Sequence, residues 1–244
     1  MLDLPAPFRA AGDHIAVDLV GGRALFTTRR GGASIGPYAT LNMGTTVGEQ
    51  PRDVLENRRA VEDELGVSMA FAPQVHGTHV AVAPSGDGPA EADGQATVTA
   101  GVAATVMVAD CLPVAIAGEG GVAMVHAGWR GLAAGIIGAG VARLRELGVT
   151  GPLSSAIGPG AGVCCYEVGE EVHAAFSKHG NGHGVRRGRN LDLKAVAARE
   201  LNCAGVEVVR DVGLCTICSD PSRFFSHRRD RGVTGRQAGL AWRA

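Results

Sequence analysis

Apolar and polar positions along the chain fall into short blocks, and each block predicts an element. Residues 15–20 and 24–28 read as two strands joined around Gly21-Gly22. Residues 52–65 read as a helix, with Val54, Leu55, Val61 and Leu65 on one apolar face and Gly66 as its C-terminal cap. Residues 71–82 suggest strand, turn, strand, with His76-Gly77-Thr78 at the bend. Residues 94–108 are β-rich and lead into Ala109-Asp110-Cys111-Leu112-Pro113. Two short, fully buried strands, 114–117 and 122–125, are split by the turn Gly118-Glu119-Gly120-Gly121. An Ala- and Gly-rich helix then ends near Leu147-Gly148, and 154–157 is another strand. Residues 168–176 and 192–204 predict helices, 206–209 a strand, and 224–226 the last strand. Strands and helices do not alternate regularly, which favours α+β over a doubly wound sheet. Neither an internal repeat nor a low-complexity linker interrupts the pattern, so one domain over 1–244 is expected.

Composition sharpens this picture. The chain is 45% hydrophobic but only 4% aromatic, and it has 37 glycines. Its core must therefore be filled mainly by Val, Ala, Leu and Ile, with many tight turns and close backbone approaches. A net charge of -1 supplies no field to hold nucleic acid or an anionic membrane surface. Basic residues gather only locally, at Arg186-Arg187-Gly188-Arg189, read as a solvated loop, and between Arg223 and Arg231. No uncharged apolar stretch reaches membrane-spanning length; residues 94–109 come closest and are too short. The N-terminus lacks a basic stretch followed by an apolar one, so a cytoplasmic protein is expected. There the six cysteines should be thiols, metal ligands or catalytic groups rather than disulfides.

Chemistry concentrates in three places: Gln74-Val75-His76-Gly77-Thr78-His79, Asp110-Cys111-Leu112-Pro113, and His126-Ala127-Gly128-Trp129-Arg130-Gly131. Each sets a His or Cys where a predicted strand meets a bend marked by Gly or Pro, so a side chain can enter a cleft on a fixed backbone. Taken singly, each His reads as an ordinary hydrogen-bonded residue and the Cys as a small hydrophobe. The spacings of 35 (111 − 76) and 15 (126 − 111) match no short-range zinc-finger pattern. If the three meet, one thiolate and two imidazoles suit zinc and also copper. Three protein ligands leave a position open, which is the catalytic rather than the structural pattern. Asp110 could then orient a ligand from behind.

These blocks resemble the signature of the YfiH/YlmD family, also called the laccase-domain or polyphenol oxidase family. Further matches are Leu41-Asn42-Met43-Gly44, Glu56-Asn57-Arg58-Arg59, Ile157-Gly158-Pro159, Cys165-Tyr166-Glu167-Val168, Cys215-Thr216 and Phe224-Phe225-Ser226-His227-Arg228-Arg229. The resemblance runs from about Ala24 to Gln237. It implies a single layered α-β-β-α domain whose metal ligands and catalytic residues are His76, Cys111 and His126. It also implies zinc, with copper as the other candidate. The implied partners are small molecules, a purine nucleoside and phosphate, with no nucleic acid and no membrane. The implied reaction is phosphorolysis of adenosine, inosine, guanosine or methylthioadenosine to base plus ribose 1-phosphate, with adenosine deamination beside it. For that chemistry Arg58 and Arg130 are candidates to hold phosphate, Asn42 and Gln74 to read ribose or base edges, and Phe225 to stack on the base.

Some relatives are peptidoglycan editing factors, which remove a misincorporated amino acid from a muramyl precursor; in that reading Cys111 is a nucleophile activated by a His. A copper polyphenol oxidase and a metal-stabilised binding module are further alternatives. The eight histidines are too few and wrongly grouped for a multicopper cluster. Cys164-Cys165 reads as structural. So does the Cys215-x-x-Cys218 pair, since no second C-x-x-C exists to complete a four-cysteine site. His227 stands where the family often has Tyr.

Overall fold

The computed structural model describes residues 3–84, 90–177 and 185–244. Two six-stranded sheets stack face to face. The first runs in the order Arg9–Ala11, His14–Leu19, Gly22–Phe26, Gln237–Arg243, Val102–Val108, Ser68–Ala70. The second runs Val208–Asp211, Ser154–Ile157, Leu112–Gly118, Gly121–Ala127, Gly94–Thr97, Val80–Val82.

Three apolar layers hold the stack. Phe26, Val106, Ala115, Ala117 and Met124 fill the space between the sheets. Val114, Ile116 and Val125 face helices Ile136–Glu146 and Leu193–Cys203 on the outside of the second sheet. Leu25, Leu240 and Val61 join the first sheet to helix Pro51–Leu65. The layering is therefore α-β-β-α. Along Leu112–Gly118 the side chains alternate between layers, small alanines toward the other sheet and larger Val and Ile toward the helices. Both faces are buried, so the strand reads as a continuous apolar run rather than an alternating one.

Small residues also set how closely the layers approach. A Cβ on Gly158 would lie 2.3 Å from Phe26 Cδ1, inside the inter-sheet layer. We expect Gly158→Ala to lower unfolding free energy by about 1–3 kcal/mol through overpacking. A urea midpoint shift at unchanged slope checks this.

The sequence expectations hold for the hairpin His14–Leu19 and Gly22–Phe26, for helix Pro51–Leu65, and for Gly66, which adopts φ 66° as its cap. Several need correction. Leu55 is 47% exposed, because the buried stripe of its helix is Val54, Asn57, Val61. The helix after His126 is two helices, Trp129–Ala134 and Ile136–Glu146, broken at Gly135 with φ 94°. The segment between Ala70 and Val80 is irregular, with its flanking strands in different sheets. Residues 224–226 form no strand, because side chains take their backbone bonds: Gln237 accepts from Phe225 N at 2.8 Å and donates to Phe225 O at 3.1 Å, Arg229 donates to Phe224 O, and Asp230 accepts from Ser226 N. The last strand is Gln237–Arg243, central in the first sheet.

Candidate functional site

The hairpin Leu112–Gly118/Gly121–Ala127 builds the site. Its register pairs Leu112 with Ala127 and Pro113 with His126, which brings Cys111 and His126 to one end of the second sheet. Gly128 follows directly. A Cβ there would lie 3.0 Å from both Cys111 Sγ and His76 Cδ2, so glycine lets the three ligand candidates close up. Cys111 Sγ lies 3.9 Å from His76 Nε2, and the His76 and His126 rings meet edge to face at 4.8 Å. One donor atom from each of His76, Cys111 and His126 lies within 4.8 Å of the other two.

A residue that the sequence reading passed over organises this trio. Asp93, fully buried, accepts three consecutive backbone amides: Val75 at 3.0 Å, His76 at 2.9 Å and Gly77 at 2.6 Å. The same carboxylate bonds His126 Nδ1 at 2.7 Å. His76 itself sits at φ 62°, the left-handed bend that turns successive amides toward one anion. Asp93 thus sets the backbone of one histidine and the ring of the other, and leaves Nε2 of His126 for a ligand. The only cue in the sequence was an Asp-Gly pair entering the Gly94–Thr97 strand.

The expected orienting role of Asp110 moves to Asp93. Asp110, at φ 88°, accepts from Thr216 Oγ1 at 2.7 Å and from Arg228 N at 2.8 Å, tying the Cys111 bend to two later loops.

Electrostatics follow from this packing. Burial opposes ionisation of Cys111, but the His126 charge and hydrogen bonds from His126 and His76 prevail and bring the thiol down to about 6. Burial opposes a charged His126 too, yet the Cys111 thiolate and Asp93 raise it to about 9. Without a metal, each group therefore favours the charged form of the other.

The trio opens on a cleft of about 670 Å³, a size that suits a small ligand. Arg58, Arg130, Arg228, Arg236 and Tyr166 line it. Arg228 and Tyr166 lay in blocks singled out in the sequence without a role assigned. Arg58 stacks 3.7 Å over Phe71, bonds the Met43 carbonyl, and is lowered to about 10 by burial. Arg130 lies over Trp129 at 4.4 Å.

The other substrate candidates are engaged elsewhere. Gln74 lines the cleft, but its amide is paired both ways with the Met107 backbone, at 2.9 and 2.8 Å. Asn42 is buried and not in the cleft lining; it bonds Gly44, Glu49 and the Arg236 amide. Phe225 is core, not cleft, with Arg29 stacked on its ring at 4.4 Å. Reading a substrate with Asn42 or Phe225 would require dismantling those contacts.

Two stacked sheets flanked by helices, with a His-Cys-His donor set on an arginine-lined cleft, define a metal-capable, small-molecule cleft domain. The chain belongs to the multi-copper polyphenol oxidoreductase laccase family, whose model matches residues 23–244. It is 40% identical to the purine nucleoside phosphorylase PA4543 of Pseudomonas aeruginosa, covering 98% of this chain and 96% of that one. Its fold is similar to the crystal structure of YlmD from Geobacillus stearothermophilus, with TM-score 0.88 and 32% identity over 98% of this chain and 99% of that one. It is also similar to the Neisseria meningitidis protein NMB0706, with TM-score 0.83 and 36% identity over 95% of this chain and 99% of that one.

Three further histidines are bound into the fold, His14 to the Thr28 amide, His79 to the Glu91 carbonyl and His173 to the Arg189 carbonyl. His179 and His183 lie outside the described residues. A multinuclear copper centre needs several clustered imidazoles. Among the described residues the metal-capable groups are the His76/Cys111/His126 trio and a four-cysteine group.

Proposed function

We propose that this chain is a purine nucleoside phosphorylase whose centre is a zinc site formed by His76, Cys111 and His126. The observation that carries the reading is the convergence of these three donors beside cleft arginines, in a chain 40% identical to a relative bearing that name. The donor set fits zinc: a thiol already disposed to ionise, and an imidazole whose far nitrogen is fixed by a carboxylate. Zinc there would supply Lewis-acid polarisation of a substrate oxygen.

The chain's own residues do the rest. Arg130 and Arg58 hold phosphate against the anomeric carbon, with Arg228 and Arg236 adding positive charge to the same cleft. A phosphate oxygen forms the new C–O bond while the C–N bond to the purine breaks, and the base leaves with the electron pair. Trp129, Tyr166 and Phe71 add aromatic surface to the cleft and carry Arg130, Arg228 and Arg58 on their rings, which aims those cations along the same wall. Deamination of adenosine is a second activity proposed for the same centre.

Arg130→Ala is expected to raise KM for phosphate about 10- to 100-fold, the scale of a lost charge-assisted hydrogen bond, and to leave the melting temperature unchanged. Initial rates against phosphate concentration check this.

The test of the reading is a product assay with adenosine and phosphate before and after chelation. Adenine, ribose 1-phosphate and some inosine, lost on chelation and restored by zinc, support it. No turnover by zinc-loaded protein overturns it. The depressed Cys111 thiol beside His126, whose imidazole is shifted upward, also suits a second reading, a cysteine hydrolase editing a muramyl precursor. That reading requires hydrolysis that survives chelation.

A further inference from the structure

The fold completes a four-cysteine group that neither cysteine pair implies alone. Cys164-Cys165 and Cys215-x-x-Cys218 come from loops about 50 residues apart, yet their four sulfurs all lie within 4.8 Å of one another. Cys164 Sγ is 3.5 Å from Cys218 Sγ. The vicinal pair stands where a second C-x-x-C was absent from the sequence.

We propose that Cys164, Cys165, Cys215 and Cys218 bind a single zinc ion, a second and purely structural metal site. Four sulfurs around one zinc, each at about 2.3 Å, define a tetrahedron with edges of about 3.8 Å. The observed separations bracket that edge: Cys164 and Cys218 at 3.5 Å open slightly, and the longest separations, within 4.8 Å, close. The same sulfurs stand too close together to enclose an iron–sulfur cubane.

The surrounding backbone is arranged for thiolates. Gly162 N donates to Cys215 Sγ at 3.2 Å, and the nearby amides of Cys218 and Ile217 also favour a charged sulfur there. Burial opposes ionisation of Cys215, but these amides prevail and hold it below an ordinary thiol. Cys164 and Cys165 are shifted the other way, by burial and by the neighbouring sulfurs. Four crowded thiols cannot all ionise without a cation among them. Gly162 admits the cluster: a Cβ there would lie 3.1 Å from Cys215 Cβ and 3.2 Å from Cys164 Sγ. Cys164 and Cys218 are exposed, which leaves the ion a path of entry.

With four protein ligands the site is closed, so its work is positional. Thr216, between the two knuckle cysteines, donates to Asp110, and Tyr166, next to Cys165, lines the cleft. The ion would clamp the two loops behind the Cys111 bend. Binding exchanges bound thiol protons for one Zn²⁺, and these protons go to solvent; no electron moves.

The experiment uses the full chain carrying Cys111→Ala, which removes the sulfur of the other site, purified under reducing conditions. Metal analysis after zinc reconstitution, and visible spectra after cobalt replacement, are compared with Cys111→Ala/Cys218→Ser. We expect retained zinc and an intense sulfur-to-cobalt charge-transfer band with tetrahedral visible bands in the first protein, and in the second a weaker band per bound cobalt together with weaker zinc retention. If the second variant fails to fold, the band in the first still decides, because no other cysteine cluster occurs among the described residues. Absence of the band, an undiminished band and zinc retention without Cys218, or a Cys164–Cys218 disulfide found by mass spectrometry in the reduced preparation overturns the proposal.

Discussion

Asp93→Asn is expected to lower zinc affinity or turnover about 10- to 100-fold, although the residue touches neither the cleft nor a ligand sulfur. The reason is donor counting. One Asp93 oxygen accepts Val75 and Gly77 amides, and the other accepts the His76 amide and His126 Nδ1. An asparagine must turn its NH₂ toward one of these sets and confront donors with donors. We expect a stability loss of about 1–3 kcal/mol in addition, the scale of buried groups left unsatisfied.

The pH dependence of that loss has a definite sign. Burial works against ionisation of Asp93, but the His126 bond and the Gly77 and Val75 amides hold its carboxyl below the ordinary value. A depressed carboxyl contributes stability above its unfolded pKa and loses it as pH falls through the folded one. The gap between wild type and Asp93→Asn should therefore be full at neutral pH and shrink in acid below the ordinary carboxylate range. Urea unfolding of both proteins across that range checks this. A gap that stays constant into acid would show that Asp93 acts only by shape.

Cys111→Ala is expected to reduce turnover on the order of 1,000-fold, the upper scale for loss of a single group that stabilises the transition state. It should also abolish tight zinc binding at the His76/Cys111/His126 centre. In metal-free protein, alkylation of Cys111, taken as the difference from Cys111→Ala, should have its midpoint near pH 6. That midpoint should move upward in His126→Ala, because the His126 charge is the largest influence lowering it. An unmoved midpoint would mean that the thiol is activated by something other than the imidazolium.

Legibility divided along physical lines. Helix Pro51–Leu65 and hairpin His14–Leu19/Gly22–Phe26 were readable because local propensity, period and turn chemistry agree there. The strand Gln237–Arg243 was not, because a central strand buried on both faces carries no alternation, and Gln-Ala-Gly-Leu-Ala looks like nothing in particular. Residues 224–226 looked like a strand because aromatic residues favour one. Three distant or neighbouring side chains, Gln237, Arg229 and Asp230, decided otherwise by taking their backbone bonds.

The site divides in the same way. His76, Cys111, His126, Arg58 and Arg130 were nameable because residue type and motif mark them. Asn42, Gln74 and Phe225 were nameable too, yet their polar atoms or ring face proved to be committed to the protein's own structure.

The sequence by itself determined the mixed α and β content, the family and the three candidate ligands, since these follow from residue type and local order, while the α-β-β-α layering was only implied by the family resemblance. Only the tertiary structure decided that Asp93 joins His76 to His126, that Asn42 and Phe225 stay out of the cleft, and that two unlike cysteine pairs make one cluster. Those are pairings between loops 17 to 54 residues apart. Distance in sequence carries no trace of which loops the sheets bring together.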